Sequence, residues 1–134
     1  MTQTDKWRRF RSRNYTLKDL GRPAIFLLPT GKLRIKIGNL SVGEHLHRFL
    51  IKNFGAYTSS TIPSFGFWKS TKEAAIQDEC REYEVSFLGK EKIPVLIDKL
   101  AEIALVIGEE CIYLKAGQYA CLIYPRKPKG KAAK

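Results

Sequence analysis

The chain has 134 residues, 44% of them hydrophobic and 11% aromatic, which is typical of one folded domain and excludes a disordered chain. No apolar run is long enough for a membrane-spanning helix, and the basic N-terminus lacks the apolar stretch of a signal peptide, so we expect a cytoplasmic protein without a membrane partner. The formal net charge of +11 is concentrated at the two ends, which favours anionic partners such as nucleic acid.

The N-terminal arm, residues 1–22, carries seven basic and two acidic side chains and alternates basic with aromatic residues. Such a segment can bind phosphates through its cations while its rings stack on bases. Alternatively, the rings pack on the domain and the cations face water. The candidate nucleic-acid-binding residues in this arm are Lys6, Trp7, Arg8, Arg9, Phe10, Arg11 and Arg13.

The C-terminal tail, residues 125–134, carries five basic side chains, no acidic ones and no apolar side chain larger than alanine apart from two prolines. It cannot offset its own ordering entropy by burial, so we expect it to be flexible. Its candidate nucleic-acid-binding residues are Arg126, Lys127, Lys129 and Lys131.

Two strands and a helix are predicted in the first half of the domain. Residues 24–28 are apolar and lie between two prolines, which predicts a strand at the edge of the main sheet or outside it. Basic and apolar residues alternate over 32–37, which predicts a strand with Lys32, Arg34 and Lys36 on the open face of the sheet. These cations could bind phosphate or pair with acidic residues of a neighbouring strand. Ser41 and Glu44 form a capping box that begins a helix over 41–54.

Residues 57–68 are predicted to be extended, with an interruption at Pro63-Ser64. Hydroxyl residues here adjoin Phe65, Phe67 and Trp68, which together with the three cations of 32–37 form a second candidate recognition surface.

The second half reads as strand, helix, strand and strand, over 80–88, 93–107, 111–114 and 119–124. Tyr83, Val85 and Phe87 alternate with polar residues, as in a strand with one buried face. In the helix, Pro94 suits the first turn, Gly108 suits the end, and an apolar stripe through Leu96 and Leu100 predicts burial.

This order of elements predicts an α+β fold of the ferredoxin-like, split β-α-β type. That fold is a two-layer sandwich in which an antiparallel sheet carries two helices on one face, here with an extra C-terminal strand. We expect one such domain over residues 23–124, between the basic arm and the basic tail.

Signatures of catalysis and of cofactor binding are absent from the sequence. It contains no phosphate-binding glycine loop, dinucleotide fingerprint, nucleophile elbow or zinc-protease motif. The three cysteines have no metal-ligand spacing, and Cys121, inside an apolar strand, is expected to be buried. Glu79, Glu82 and Glu84 are interpreted as a solvated face. We therefore expect no metal and no cofactor.

Three functional hypotheses remain open. The first is a non-enzymatic accessory protein that contacts nucleic acid or a nucleoprotein partner through its basic ends. The second is a small-ligand-binding or enzymatic ferredoxin-like domain that acts as a homodimer, with its site near residues 65–68, Glu79, Glu82 and Glu84. The third is a protein–protein interaction module. Removal of the basic ends would abolish partner binding only under the first hypothesis.

Overall fold

The computed structural model describes residues 7–68 and 76–126, with side chains for all of these except 61–68 and 76–78. A five-stranded sheet and two helices form its two layers. The sheet contains β1 (Arg22–Pro29), β4 (Thr58–Trp68), β5 (Ile76–Phe87), β6 (Ile112–Ala116) and β7 (Tyr119–Ile123), the helices are α1 (Val42–Phe54) and α2 (Lys92–Ile107), and a 3₁₀ helix (Thr30–Arg34) and the two-residue strands β2 (Lys36–Ile37) and β3 (Leu40–Ser41) lie between β1 and α1.

The strands of the sheet follow the order β4-β5-β1-β6-β7, and every neighbouring pair is antiparallel. The two strands that α1 connects, β1 and β4, are separated by β5, which is the arrangement that defines a split β-α-β unit. The ferredoxin-like prediction is therefore confirmed, with β7 as the extra C-terminal strand.

Both helices begin and end where the sequence predicts. The Ser41 hydroxyl accepts a hydrogen bond of 3.1 Å from the Glu44 amide, which satisfies one free donor at the start of α1. Gly108 ends α2 with a φ of 73°, a conformation that favours glycine. The apolar stripe of α2 is buried against the sheet. The core formed there includes Ala24, Phe26, Leu28, Leu46, Leu50, Tyr83, Val85, Leu96, Leu100, Ile103 and Leu114.

Two predictions for the first half are wrong. Residues 24–28 were predicted at an edge, but they lie at the centre of the sheet, between β5 and β6. The two prolines lie near the ends of β1, so they leave the central residues free to pair on both sides. The side chains of Ile25 and Leu27, on the face away from the core, are half-buried. Residues 32–37 are not a strand of the sheet, since the chain there leaves β1 through the 3₁₀ helix and buries only Leu33. Lys32, Arg34 and Lys36 therefore do not share a face of the sheet.

The buried alternation of Tyr83, Val85 and Phe87 is confirmed, and β5 begins earlier than predicted, at Ile76. Its pairing with β4 shifts register between Ser60 and Ser64, around the predicted interruption at Pro63.

Cys121 is exposed, so its predicted burial is wrong: β7 is an edge strand whose first four residues are exposed. Among the described residues, no helix is long and apolar enough to span a membrane.

Candidate functional site

A cavity of about 670 Å³ opens on the helix side of the sheet, where β1 ends and α1 begins. Its volume lies within the range of roughly 300–1,000 Å³ that is usual for small-molecule sites. The 3₁₀ helix and the first turns of α1 form one wall, and β4 and β5 form the other. The lining residues are Thr30, Gly31, Leu33, Arg34, Ser41, Gly43, Glu44, His47, Tyr57, Ser59, Arg81 and Tyr83, and we call this space the Arg81 cavity.

Arg81 lies in the register of the buried face of β5. Its partner on β1 is Leu28, just as Tyr83 pairs with Phe26 and Val85 with Ala24, so the arginine points to the same side as these core residues. Its Nε atom is fully buried and has no hydrogen-bond partner among the described residues. An unsatisfied buried donor costs about 1–3 kcal/mol, so this atom would be stabilised by an acceptor in the cavity.

Aromatic rings form the floor of the cavity. Tyr83 stacks on Phe26 with 5.1 Å between ring centroids, and Tyr57 lies 6.0 Å from Tyr83 on the other side. His47 Nδ1 and the Tyr57 hydroxyl are 2.7 Å apart, which fixes the Tyr57 ring at the mouth. Burial raises the pKa of Tyr83, and the Arg81 guanidinium opposes part of that rise. Tyr83 is therefore a neutral hydroxyl at physiological pH.

The charged side chains around the cavity are mainly cationic. Arg34, at the end of the 3₁₀ helix, lines the same space as Arg81, and so do residues at the N-terminal end of α1, which carries partial positive charge. Glu44 is the one acidic lining residue among those described, and it accepts a 3.4 Å contact from Arg48 one turn along α1. The cavity thus combines a cationic end with an aromatic floor.

The described part of the N-terminal arm lies outside the core. Residues 7–18 are all exposed, including Arg8, Arg9, Arg11 and Arg13, and the rings of Trp7 and Phe10 remain about half exposed. Within the arm, Trp7 Nε1 donates to Asp19 Oδ1 over 3.3 Å and Arg11 Nε donates to the Arg8 carbonyl over 3.4 Å. These contacts leave the rings of Trp7 and Phe10 accessible to solvent.

The residues of the second predicted recognition surface lie in different parts of the fold. Lys32 forms an ion pair of 2.6 Å with Glu109, which is largely buried in the loop after α2, so this cation pins the 3₁₀ helix instead of facing a ligand. Arg34 reaches the Arg81 cavity, and Lys36 is exposed on β2. Phe65, Phe67 and Trp68 lie at the distal end of β4, where the backbone alone is described.

Several predicted residues fall outside the described part of the chain, namely Lys6, Lys127, Lys129 and Lys131, while Arg126 is exposed at the end of the described segment. Within the described residues, no group of three or more His, Cys, Asp or Glu side chains is placed to hold a metal ion.

Arg81 is not among the site residues predicted from the sequence, although the sequence contains a signal for it. The alternation Tyr83, Val85, Phe87 extends back by two residues to Arg81, which places a cation in the buried register of a strand. Long cationic side chains are rarely buried without a partner, so such a position indicates either an internal ion pair or a ligand.

The similarity of this chain to known proteins is a similarity of fold. No family model matches the chain, and neither does any curated protein. The chain is similar to a phage SAM lyase in complex with S-methyl-5'-thioadenosine, with a TM-score of 0.52 and 11% identity over 84% of this chain and 96% of the lyase chain. The chain is also similar to a phage SAM lyase in the apo state, with a TM-score of 0.51 and 11% identity over 85% of this chain and 99% of the lyase chain. The similarity therefore covers the two-layer α+β fold over nearly the full length of those lyases.

Proposed function

We propose that this domain binds a small nucleoside-type ligand in the Arg81 cavity. The observation that carries the proposal is the cavity itself, which has the volume of a small-molecule site, an aromatic floor and a few polar groups at one end. The Tyr57 ring can stack on a base, and Ser59 can hydrogen-bond to a ribose. A protein of the same fold is the phage SAM lyase in complex with S-methyl-5'-thioadenosine, which makes this nucleoside thioether the first ligand to test.

Isothermal titration with S-methyl-5'-thioadenosine and S-adenosylmethionine tests this proposal. We expect saturable binding of at least one of them, weakened about tenfold or more by Tyr57→Ala because stacking on a ring contributes about 1–3 kcal/mol. Tyr119→Ala is the matched control, since Tyr119 is 73% exposed on β7, outside the cavity.

A blocking variant tests the location independently. A Cβ atom at Gly31 meets no atom within 4 Å, so Gly31→Leu extends into open space at the cavity wall without a backbone clash. We expect this variant to melt like the wild type and to lose binding. Wild-type affinity in Gly31→Leu, or no binding of either nucleoside to the wild type, would contradict the proposal.

The second candidate function is contact with nucleic acid, or with a nucleoprotein partner, through the N-terminal arm and C-terminal tail. The observation that favours it is that residues 7–18 are all exposed, with four arginines close in sequence to the half-exposed rings of Trp7, Phe10 and Tyr15. Cations that neutralise phosphates give an affinity that falls steeply as salt increases, and exposed rings favour single strands.

Fluorescence anisotropy with random single-stranded and double-stranded oligonucleotides tests this function across a series of salt concentrations. The variant replaces Arg9, Arg11 and Arg13 with Gln, and the control replaces Lys36, Lys52 and Lys115 with Gln, all exposed cations of the folded domain. Both variants lose the same net charge, so we expect a large loss of affinity only in the first. Equal losses would indicate attraction without a specific site, and the absence of binding near physiological salt would remove this function.

The homodimer considered for a ligand-binding domain stays a prediction. Light scattering of the protein with and without nucleoside measures it directly, and a monomeric mass in both conditions would contradict it.

A further inference from the structure

Arg81 gives the cavity a chemical preference that a nucleoside alone does not use. Arg81 lies on the core face of β5, across from Leu28 and two residues before Tyr83, and its buried Nε atom has no acceptor among the described residues. A guanidinium presents its N–H groups in a planar fork that matches the two oxygens of a carboxylate or phosphate.

The other groups around Arg81 also favour an anion. Arg34 lines the same space, and the amides of the first turn of α1 carry partial positive charge there. A Cβ atom at Gly31 would meet no atom within 4 Å, so a ligand can approach the backbone closely there.

Glu44 and His47 also line the cavity, and neither cancels this preference. Glu44 is engaged by Arg48 at 3.4 Å, and His47 shares a hydrogen bond with the Tyr57 hydroxyl. The cavity is therefore lined by two arginines and one carboxylate, and that carboxylate is already paired with Arg48.

We propose that the Arg81 cavity binds the anionic group of its ligand, a carboxylate or a phosphate, with Arg81 as the principal contact. The proposal rests on the proposed ligand-binding function and narrows its ligand to an anionic or zwitterionic nucleoside. Arg81 holds the anion at the inner end of the cavity, so the base of the same ligand lies toward Tyr57 at the mouth.

Three probes of similar size separate the sources of the charge. S-methyl-5'-thioadenosine is neutral, S-adenosylhomocysteine is a zwitterion that adds a carboxylate and an ammonium group, and adenosine 5'-monophosphate carries a phosphate. We expect the wild type to bind one of the two charged probes about tenfold or more tightly than the neutral one, since charge-assisted bonds are the stronger kind. The preferred probe identifies the anion.

Arg81→Gln should lower the affinity for the preferred charged probe about tenfold or more and the affinity for the neutral probe by much less, so that the preference disappears. Arg81→Lys keeps the charge but loses the fork, so we expect an intermediate loss. Arg22→Gln is the control, because Arg22 is exposed at the opposite end of β1. Equal affinity of the wild type for neutral and charged probes, or equal losses for both in Arg81→Gln, would overturn the inference while the proposed function stands.

A second measurement decides the inference if no nucleoside binds. Titration of the ¹⁵N-labelled wild type with inorganic phosphate and with acetate should shift the Arg81 Nε–H resonance in a saturable way, together with the amides of Gly43 and Glu44. An Arg81 resonance that does not respond to either anion would overturn the inference. A saturable shift without any nucleoside binding would retain the anion site and remove the nucleoside.

Discussion

Tyr83 lies at the centre of a run of three aromatic rings, with Phe26 on one side and Tyr57 on the other. Its side chain is 4% exposed, and burial disfavours its ionised form. The same residue thus belongs to the core and lines the cavity, so its protonation state contributes to stability.

The raised pKa of Tyr83 predicts a loss of stability at alkaline pH. In the unfolded chain tyrosine ionises near pH 10, whereas the folded protein holds the proton of Tyr83 to higher pH. Because the unfolded state then binds fewer protons, the free energy of unfolding falls as the pH rises above about 10. Tyr83→Phe lacks this contribution, so its stability should fall less over the same interval. Urea unfolding at a series of pH values measures the difference.

The control for this prediction is Tyr119→Phe, whose ring is exposed on β7. Its stability should follow the pH dependence of the wild type. Parallel pH curves for Tyr83→Phe and the wild type would show that the proton on Tyr83 does not contribute.

The three cysteines should differ in reactivity because they differ in burial. Cys121 is exposed, whereas Cys80 and Cys111 are buried. Burial also raises the pKa of Cys111, against a hydrogen bond from Tyr124 that lowers it, and a protonated thiol is a poor nucleophile. Iodoacetamide should therefore modify Cys121 alone in the native protein and all three cysteines in denaturant. Peptide mass mapping checks this, and rapid native labelling of Cys111 would contradict its burial.

At the scale of elements, local signals predicted the helices better than the strands. A cap at Ser41, a glycine at position 108 and an apolar stripe through Leu100 are all short-range features, and each agrees with the structure. The position of a strand in a sheet depends on partners far away in the chain, and no local pattern encodes them. This is why residues 24–28 were predicted at an edge and residues 32–37 in the sheet.

The candidate site was predicted less completely than the fold. The alternation of residues 32–37 predicts Arg34 on the open face of the sheet. These residues do not belong to the five-stranded sheet, and Arg34 lines the cavity instead. The remaining lining residues come from the 3₁₀ helix, α1, β4 and β5, which are brought together only by the fold. Arg81 was the member that a reading of strand register alone could have found.

The buried face of α2 makes a direct prediction. Leu100 is completely buried, so Leu100→Asp places an ionised group in the core and should unfold the domain, while Leu100→Ala should cost about 2–5 kcal/mol. Leu105→Asp, on the same helix but 39% exposed, is the matched control and should retain most of the stability. Thermal melts by circular dichroism compare the three variants. A wild-type melt for Leu100→Asp would refute the packing of α2.

At the scale of the whole molecule, the charge and the core are separated. The described arginines of the N-terminal arm before β1 are all exposed, and the core lies between the sheet and the helices. An interaction made by the arm can therefore change without a change in the domain, and the two candidate functions can be tested in one protein.

Removal of residues 1–15 tests this separation. No described side chain in residues 7–15 is buried, and the Asp19 carboxylate keeps its hydrogen bond from the Gly21 amide when Trp7 is lost. We expect the shortened protein to melt within a few degrees of the wild type and to bind any cavity ligand with unchanged affinity. A large drop in melting temperature would show that the arm is part of the folded domain.

The central position of β1 also determines when the protein can fold. Its residues pair with Cys80–Phe87 on one side and with Leu114–Ala116 on the other, so each of these contacts closes a loop of more than about 50 residues. During synthesis, β1 leaves the ribosome first and has no sheet partner until β5 follows it. The apolar strand at the centre of the native sheet therefore lacks its partners until β5 and β6 have been synthesised, and we expect the sheet to form only after that point.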